Sequence, residues 1–129
     1  FNPGSCFSNS VPLLMALATL YMGLTPDEAL TAITLNGAAA IDRADRVGSL
    51  EPGKCADMIA VDLSSPETQP MYNPLSQLAY ACNGSQVTHS WVDGRLLMRD
   101  RQVQTLNESA VLERAAHWQQ RIAATGAQQ

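Results

Sequence analysis

The chain has 129 residues, a formal net charge of -4 and 46% hydrophobic residues. This composition fits one folded domain with a modest core and is not typical of a disordered chain. The eight Lys and Arg residues are scattered along the sequence, which argues against nucleic-acid binding. No apolar run is long enough to span a bilayer, so a membrane partner is not expected either.

The first residues indicate whether upstream sequence is missing, and the cysteines indicate the cellular compartment. The first residue is Phe1 rather than Met, and FNPG at residues 1–4 has the composition of a loop interior. We therefore expect upstream sequence to be missing, with a trimmed tag or pro-segment as the alternative. The three cysteines, Cys6, Cys55 and Cys82, are far apart and odd in number. A disulfide framework is not expected, and a reducing cytoplasm is the predicted location.

The first half of the sequence predicts helices. Ser10 can cap a helix with an apolar face, and Gly23 is the predicted end of that helix. TPDE at residues 25–28 is a capping box that predicts the start of a second helix. Asn36 followed by Gly37 predicts a break, after which Asn36 would cap one more short helix.

The second half predicts short strands and a final helix. Residues 56–61 are mainly apolar and end in a β-branched residue, which indicates a strand. VTHSWV at residues 87–92 alternates, and DG at residues 93–94 predicts a hairpin to a partner strand. Asn107 is predicted to cap the last helix. Helices followed by short strands are not typical of a self-contained α/β domain. This order instead indicates the last elements of one architecture followed by the edge of a second one.

Three segments, in this order, resemble the amidohydrolase superfamily. TLNGAA at residues 34–39 resembles the TxNxA segment of that superfamily, and GSLEPGKCADMIAVD at residues 48–62 resembles its GSLEPGKxADxxxxD signature. VDGR at residues 92–95 resembles the late hairpin of the same proteins. In the superfamily, the chain leaves a catalytic barrel at the signature and returns to a small β-sandwich.

The resemblance implies an α/β fragment. Residues 1–46 would be the last helical part of the (β/α)8 barrel of a metal-dependent hydrolase. Residues 47–106 would be the C-terminal strands of the composite β-sandwich with a connecting segment. Residues 107–129 would be a C-terminal helix and tail.

The two halves of the sequence resemble different branches of the superfamily. FNPGS at residues 1–5 is similar to the segment of imidazolonepropionases that follows their last metal ligand. The resemblance implies that Asn2, Gly4 and Ser5 contact the substrate; an ordinary turn is the alternative, because these are turn-forming residues. Residues 62–122 instead resemble the methylthioadenosine/S-adenosylhomocysteine deaminase and chlorohydrolase branch.

The metal chemistry implied by the resemblance needs residues that are not found in this sequence. Such enzymes hold a divalent metal, zinc or iron, with an HxH pair, a further His and an Asp at the ends of barrel strands. This chain has only two histidines, His89 and His117, and neither belongs to an HxH pair. We therefore expect no metal, no catalytic residue and no activity on this chain alone.

Three functions are consistent with these patterns. The first is an enzyme whose intact form hydrolyses a C–N bond in a small cyclic amide or amidine, with imidazolonepropionate of histidine degradation as the lead substrate. The second is a deaminase of methylthioadenosine, S-adenosylhomocysteine or triazine-like rings. The third is a non-catalytic docking or dimerisation module. The expected partners are a small-molecule substrate, the missing N-terminal part of the barrel and further copies of the chain in a homo-oligomer.

Overall fold

The fold begins with three helices that follow one another closely. In the computed structural model, residues 8–126 are described. Helices α1 (Val11–Tyr21) and α2 (Pro26–Thr31) are separated by a short turn, and a π-helical turn (Ala32–Asn36) leads directly from α2 into α3 (Gly37–Ala40).

Four strands, one short 3-10 helix and two further α-helices complete the described part of the chain. In sequence order they are β1 (Met58–Val61), the 3-10 helix (Pro66–Thr68), α4 (Pro74–Tyr80), β2 (Val87–Val92), β3 (Arg95–Arg99), β4 (Gln102–Val103) and α5 (Glu108–Gly126). The strands form one antiparallel sheet in the order β1-β2-β3-β4. No helix among residues 8–126 combines the length and the apolar character that a membrane span needs.

The predicted helix starts are confirmed by their capping bonds. The Ser10 hydroxyl accepts a hydrogen bond from the Leu13 amide at 3.3 Å. At the start of α2, the Glu28 amide donates to the Thr25 hydroxyl, and the Thr25 amide donates to the Glu28 carboxylate at 2.8 Å. These bonds satisfy amide groups that have no partner within the helix, which stabilises each helix start by about 1 kcal/mol.

The predicted break at Asn36 and Gly37 is wrong. Both residues have right-handed helical backbone angles, and Asn36 makes no capping bond with its side chain. The chain stays helical because a π-helical turn inserts between α2 and α3. Glycine tolerates helical angles as readily as it tolerates turns, so the dipeptide alone did not determine the outcome. Turns of this kind often occur where a neighbouring segment approaches closely or at functional sites.

Helices α1, α2 and α4 pack around a small apolar core. Met15, Ala29 and Ala79 are buried there, one from each helix. Partly buried Leu30 and Ile33 pack against this cluster. Three of the four buried apolar side chains among the described residues are Ala, so this core contributes little hydrophobic stabilisation compared with a core of large side chains.

A buried threonine joins helix α4 to the segment that precedes it. Thr68 is completely buried, and its hydroxyl lies within hydrogen-bonding distance of the carbonyls of Leu63 and Ser65. The Gln77 amide group of α4 in turn donates to the carbonyls of Thr68 and Pro70. These bonds connect α4 to the segment that precedes it, while Ala79 of α4 packs in the core with Met15 of α1 and Ala29 of α2.

The sheet is also fixed by a side chain that the sequence analysis did not single out. Arg101, in the turn between β3 and β4, donates through Nη1 to the carbonyls of Gly84, Ser85 and Val87. The Arg101 amide donates to the Thr88 carbonyl at 2.9 Å. Arg101 therefore connects the β3–β4 turn to the segment that leads into β2.

The helical and the strand-containing parts meet closely at Gly48. This residue has a φ of +93°, which L side chains rarely adopt. A Cβ atom on Gly48 would lie 2.7 Å from Ala38 Cβ, 3.0 Å from the Thr34 carbonyl oxygen and 3.1 Å from Leu35 Cα. Only glycine fits, because both the backbone angle and the contact with the π-helical turn exclude a side chain.

We predict that Gly48→Ala destabilises the fold by about 2 kcal/mol or more, since it combines a strained backbone angle with a steric clash. Gly53→Ala is the matched control, because Gly53 has the same φ of +93° and no atom within 4 Å of the added Cβ. Urea denaturation of both variants measures the two free energies of unfolding. Equal losses of unfolding free energy in the two variants would show that the steric contact at Gly48 has no effect on stability.

Candidate functional site

The predicted substrate-binding residues lie outside the described part of the chain. Asn2, Gly4 and Ser5 precede residue 8, at which the description of the structure begins. Their substrate contacts therefore stay predictions. Residues 8–126 contain the side chains whose geometry is known.

Each histidine contacts a tryptophan, His89 on a partly buried strand and His117 on the exposed helix α5. His89, on β2, stacks on Trp91 with the ring centroids 5.5 Å apart, and its Nε2 lies 3.7 Å from Asp100 Oδ1. His117, on α5, makes an edge contact with Trp118, whose ring is also covered by the guanidinium of Arg121. The two histidines thus belong to separate aromatic contacts on different elements.

The described residues do not fit a metal site. Across residues 8–126, no group of three or more His, Cys, Asp or Glu side chains is arranged to hold an ion. Catalytic zinc sites need about three protein ligands around one open position. The residues in hand therefore support no step through a metal.

The signature segment instead holds the hairpin of the sheet. Asp57 Oδ1 accepts a hydrogen bond from the Asp93 amide at 2.6 Å, and the Gly94 amide donates to the Ala56 carbonyl at 3.2 Å. The signature and the hairpin turn are both recognisable in the sequence, but their contact was not predicted from it. A possible signal was the Asp of the signature itself, because a carboxylate accepts well from the free amides of a tight turn.

Cys55, in the same signature segment, is paired with Arg46. Arg46 Nη2 lies 3.6 Å from Cys55 Sγ, and the Cys55 amide donates to the Arg46 carbonyl at 2.8 Å. The hydrogen bond to Cys55 raises the pKa of Arg46, with the charge attraction of the same sulfur as the next cause. These contacts fasten the turn of the signature to the segment that precedes it.

The turn of the signature carries a small exposed polar network. The Ser49 hydroxyl contacts Glu51, and Lys54 Nζ lies 3.3 Å from Glu51 Oε1. The Ser49 hydrogen bond lowers the pKa of Glu51, and Lys54 lowers it further. An exposed ion pair of this kind contributes little to stability and does not define a catalytic acid.

Cys82 is unsuited to nucleophilic chemistry. Burial raises the pKa of the Cys82 thiol, and the negative charge of Glu67 raises it further. A raised pKa decreases the fraction of thiolate, which is the reactive form.

An open groove of about 350 Å³ lies beside the start of α2. Its lining consists of Leu24, Asp27, Glu28, Thr31, Ala32 and Asn36. The Glu28 carboxylate is engaged in the capping box, and its hydrogen bond to the Thr25 backbone lowers the pKa of Glu28. Two carboxylates with no cation among these lining residues disfavour an anionic ligand.

The order of elements, the signature turn and its contact with the hairpin define the class of this chain. It matches the family model of the amidohydrolase family over residues 5–97, more than half of its length. The chain belongs to the amidohydrolase family.

Two curated relatives come from different branches of that family. The chain is 51% identical to an imidazolonepropionase of Phocaeicola vulgatus over 89 residues, which is 69% of this chain and 22% of that protein. It is 43% identical to a 5-methylthioadenosine/S-adenosylhomocysteine deaminase of Teredinibacter turnerae over 96 residues, which is 74% of this chain and 22% of that protein. The chain thus spans about a fifth of the length of these relatives.

Solved structures show the same fold. An adenosine deaminase from Xanthomonas campestris, determined with bound zinc, matches with a TM-score of 0.76 and 40% identity over 84% of this chain and 25% of its own. The atrazine chlorohydrolase TrzN from Arthrobacter aurescens matches with a TM-score of 0.74 and 19% identity over 82% of this chain and 25% of its own. At that identity the second match concerns the fold alone.

We predict that Asp57→Ala destabilises the sheet by about 1 kcal/mol, because the Asp93 amide loses its acceptor. Asp57→Asn keeps an oxygen acceptor at that position and should retain most of the stability. Hydrogen exchange at the Asp93 amide, together with urea denaturation, measures the effect. Fast exchange in the Asn variant and slow exchange in the Ala variant would contradict this assignment.

Proposed function

We propose that this chain supplies the C-terminal part of a metal-dependent amidohydrolase that hydrolyses a C–N bond in a small cyclic amide or amidine. In this proposal, residues 1–46 complete a (β/α)8 barrel and residues 47–106 form the C-terminal part of a β-sandwich with its connecting segment. Residues 107–129 add the final helix and tail. The observation that carries the proposal is the similarity to imidazolonepropionase at 51% identity.

Helix α1 supports the assignment of the first part to a barrel. Almost every side chain of this helix is apolar, and a helix that is apolar on all sides is normally buried. In this chain α1 buries only Met15, while Leu14, Leu20 and Tyr21 remain 55%, 67% and 81% exposed. Covering one such leucine stabilises a fold by about 1.5–3 kcal/mol. The complementary barrel polypeptide is the partner that would cover them.

Imidazolonepropionate is the lead substrate, and its carboxylate tail would be the group that residues 1–5 recognise. We infer that Asn2, Gly4 and Ser5 contact the substrate in the intact enzyme. The Gly4 amide and the Ser5 hydroxyl are both donors, and they precede α1 closely in the sequence. Donors near a helix start suit an anionic group such as a propionate.

A deaminase is the second candidate, and two similarities are compatible with it. The match to the Teredinibacter turnerae deaminase covers 74% of this chain, compared with 69% for the imidazolonepropionase. The adenosine deaminase structure matches at 40% identity over 84% of the chain. The same C–N hydrolysis would then act on a methylthioadenosine-like or triazine-like ring. A non-catalytic docking or dimerisation module remains the candidate from a different class.

The cofactor of the intact enzyme would be a divalent metal, zinc or iron. When bound, such an ion supplies an acidic water at neutral pH. We propose that its ligands come from the complementary barrel polypeptide, because residues 8–126 contain no group that fits it. The isolated chain would then be inactive. We further propose a cytoplasmic location and a homo-oligomeric intact enzyme.

We predict that this chain can replace the matching C-terminal segment of the Phocaeicola vulgatus imidazolonepropionase. The chimera should retain imidazolonepropionate turnover within about tenfold of the parent, a loss of about 1.4 kcal/mol in transition-state stabilisation. The parent without its C-terminal segment is the control and should be inactive.

A second chimera, in which this chain replaces the matching C-terminal segment of the Teredinibacter turnerae deaminase, separates the two enzyme candidates. It is assayed with methylthioadenosine. Turnover by that chimera alone would favour the deaminase. If neither chimera turns over its substrate although both bind metal, both enzyme candidates are contradicted and the docking module is favoured.

In the active imidazolonepropionase chimera, Asn2→Ala and Ser5→Ala should each raise KM about fivefold with little change in kcat, because each loses a hydrogen bond of about 1 kcal/mol that forms on binding. Ser109→Ala, at an exposed position of α5, is the matched control. Steady-state kinetics of all three variants provides the measurement. Unchanged KM values for both loop variants would exclude the substrate-contact role.

We predict that the isolated chain self-associates through α1, because exposed apolar surface of this size seldom stays uncovered. Replacing Leu14 and Leu20 together by Gln should shift sedimentation velocity profiles towards the monomer. Replacing Leu50 and Leu106 by Gln is the matched control, since these leucines are 70% and 63% exposed but lie outside α1. A monomeric wild-type chain, or an equal shift in both double variants, would contradict the role of α1.

A further inference from the structure

We draw no further inference here: the strongest candidate, the exposed apolar face of helix α5 formed by Val111, Trp118 and Ile122, carries nothing because nothing in the structure shows what covers it.

Discussion

The close approach of Gly48 to the π-helical turn is the constraint through which the two parts of this fold are joined. The backbone of the signature segment runs against Ala38 and the carbonyl of Thr34 with no space for a side chain. This contact packs the start of the signature segment against the helices, ahead of β1. Further along the same segment, the Asp57 carboxylate accepts a hydrogen bond from the Asp93 amide of the β2–β3 turn. The signature segment therefore contacts the helices at Gly48 and the sheet at Asp57.

A second constraint is the shortage of covered apolar surface. The core of α1, α2 and α4 contains mostly small side chains, whereas the leucines of α1 are largely exposed. The free energy of folding is a small difference between hydrophobic burial and conformational entropy, so such a core provides little stabilisation by itself. Under the proposed function, a complementary barrel polypeptide would cover the apolar side chains of α1 that stay exposed in this chain.

Similarity to two branches of the amidohydrolase family follows from which parts of the fold this chain contains. The signature, the hairpin and the packing of the helices are structural features, and they are compatible with imidazolonepropionases and deaminases alike. No group of side chains among residues 8–126 fits a metal ion, and the groove beside α2 is not suited to an anionic ligand. In the proposed intact enzyme, substrate choice would depend on the segment at residues 1–5 and on the complementary barrel polypeptide.

The sequence by itself determined the features that depend on neighbouring residues. The caps at Ser10 and Thr25, the Asp93-Gly94 turn and the final helix after Asn107 were all predictable, because each rests on bonds within a few residues. Tertiary structure decided the rest. The π-helical turn ends at Asn36 and α3 begins at Gly37 without a break, and α4 packs on α1 through Ala79 and Met15. It also decided that Asp57 meets Asp93 across 36 positions of sequence, because such contacts depend on how distant segments pack rather than on local preference.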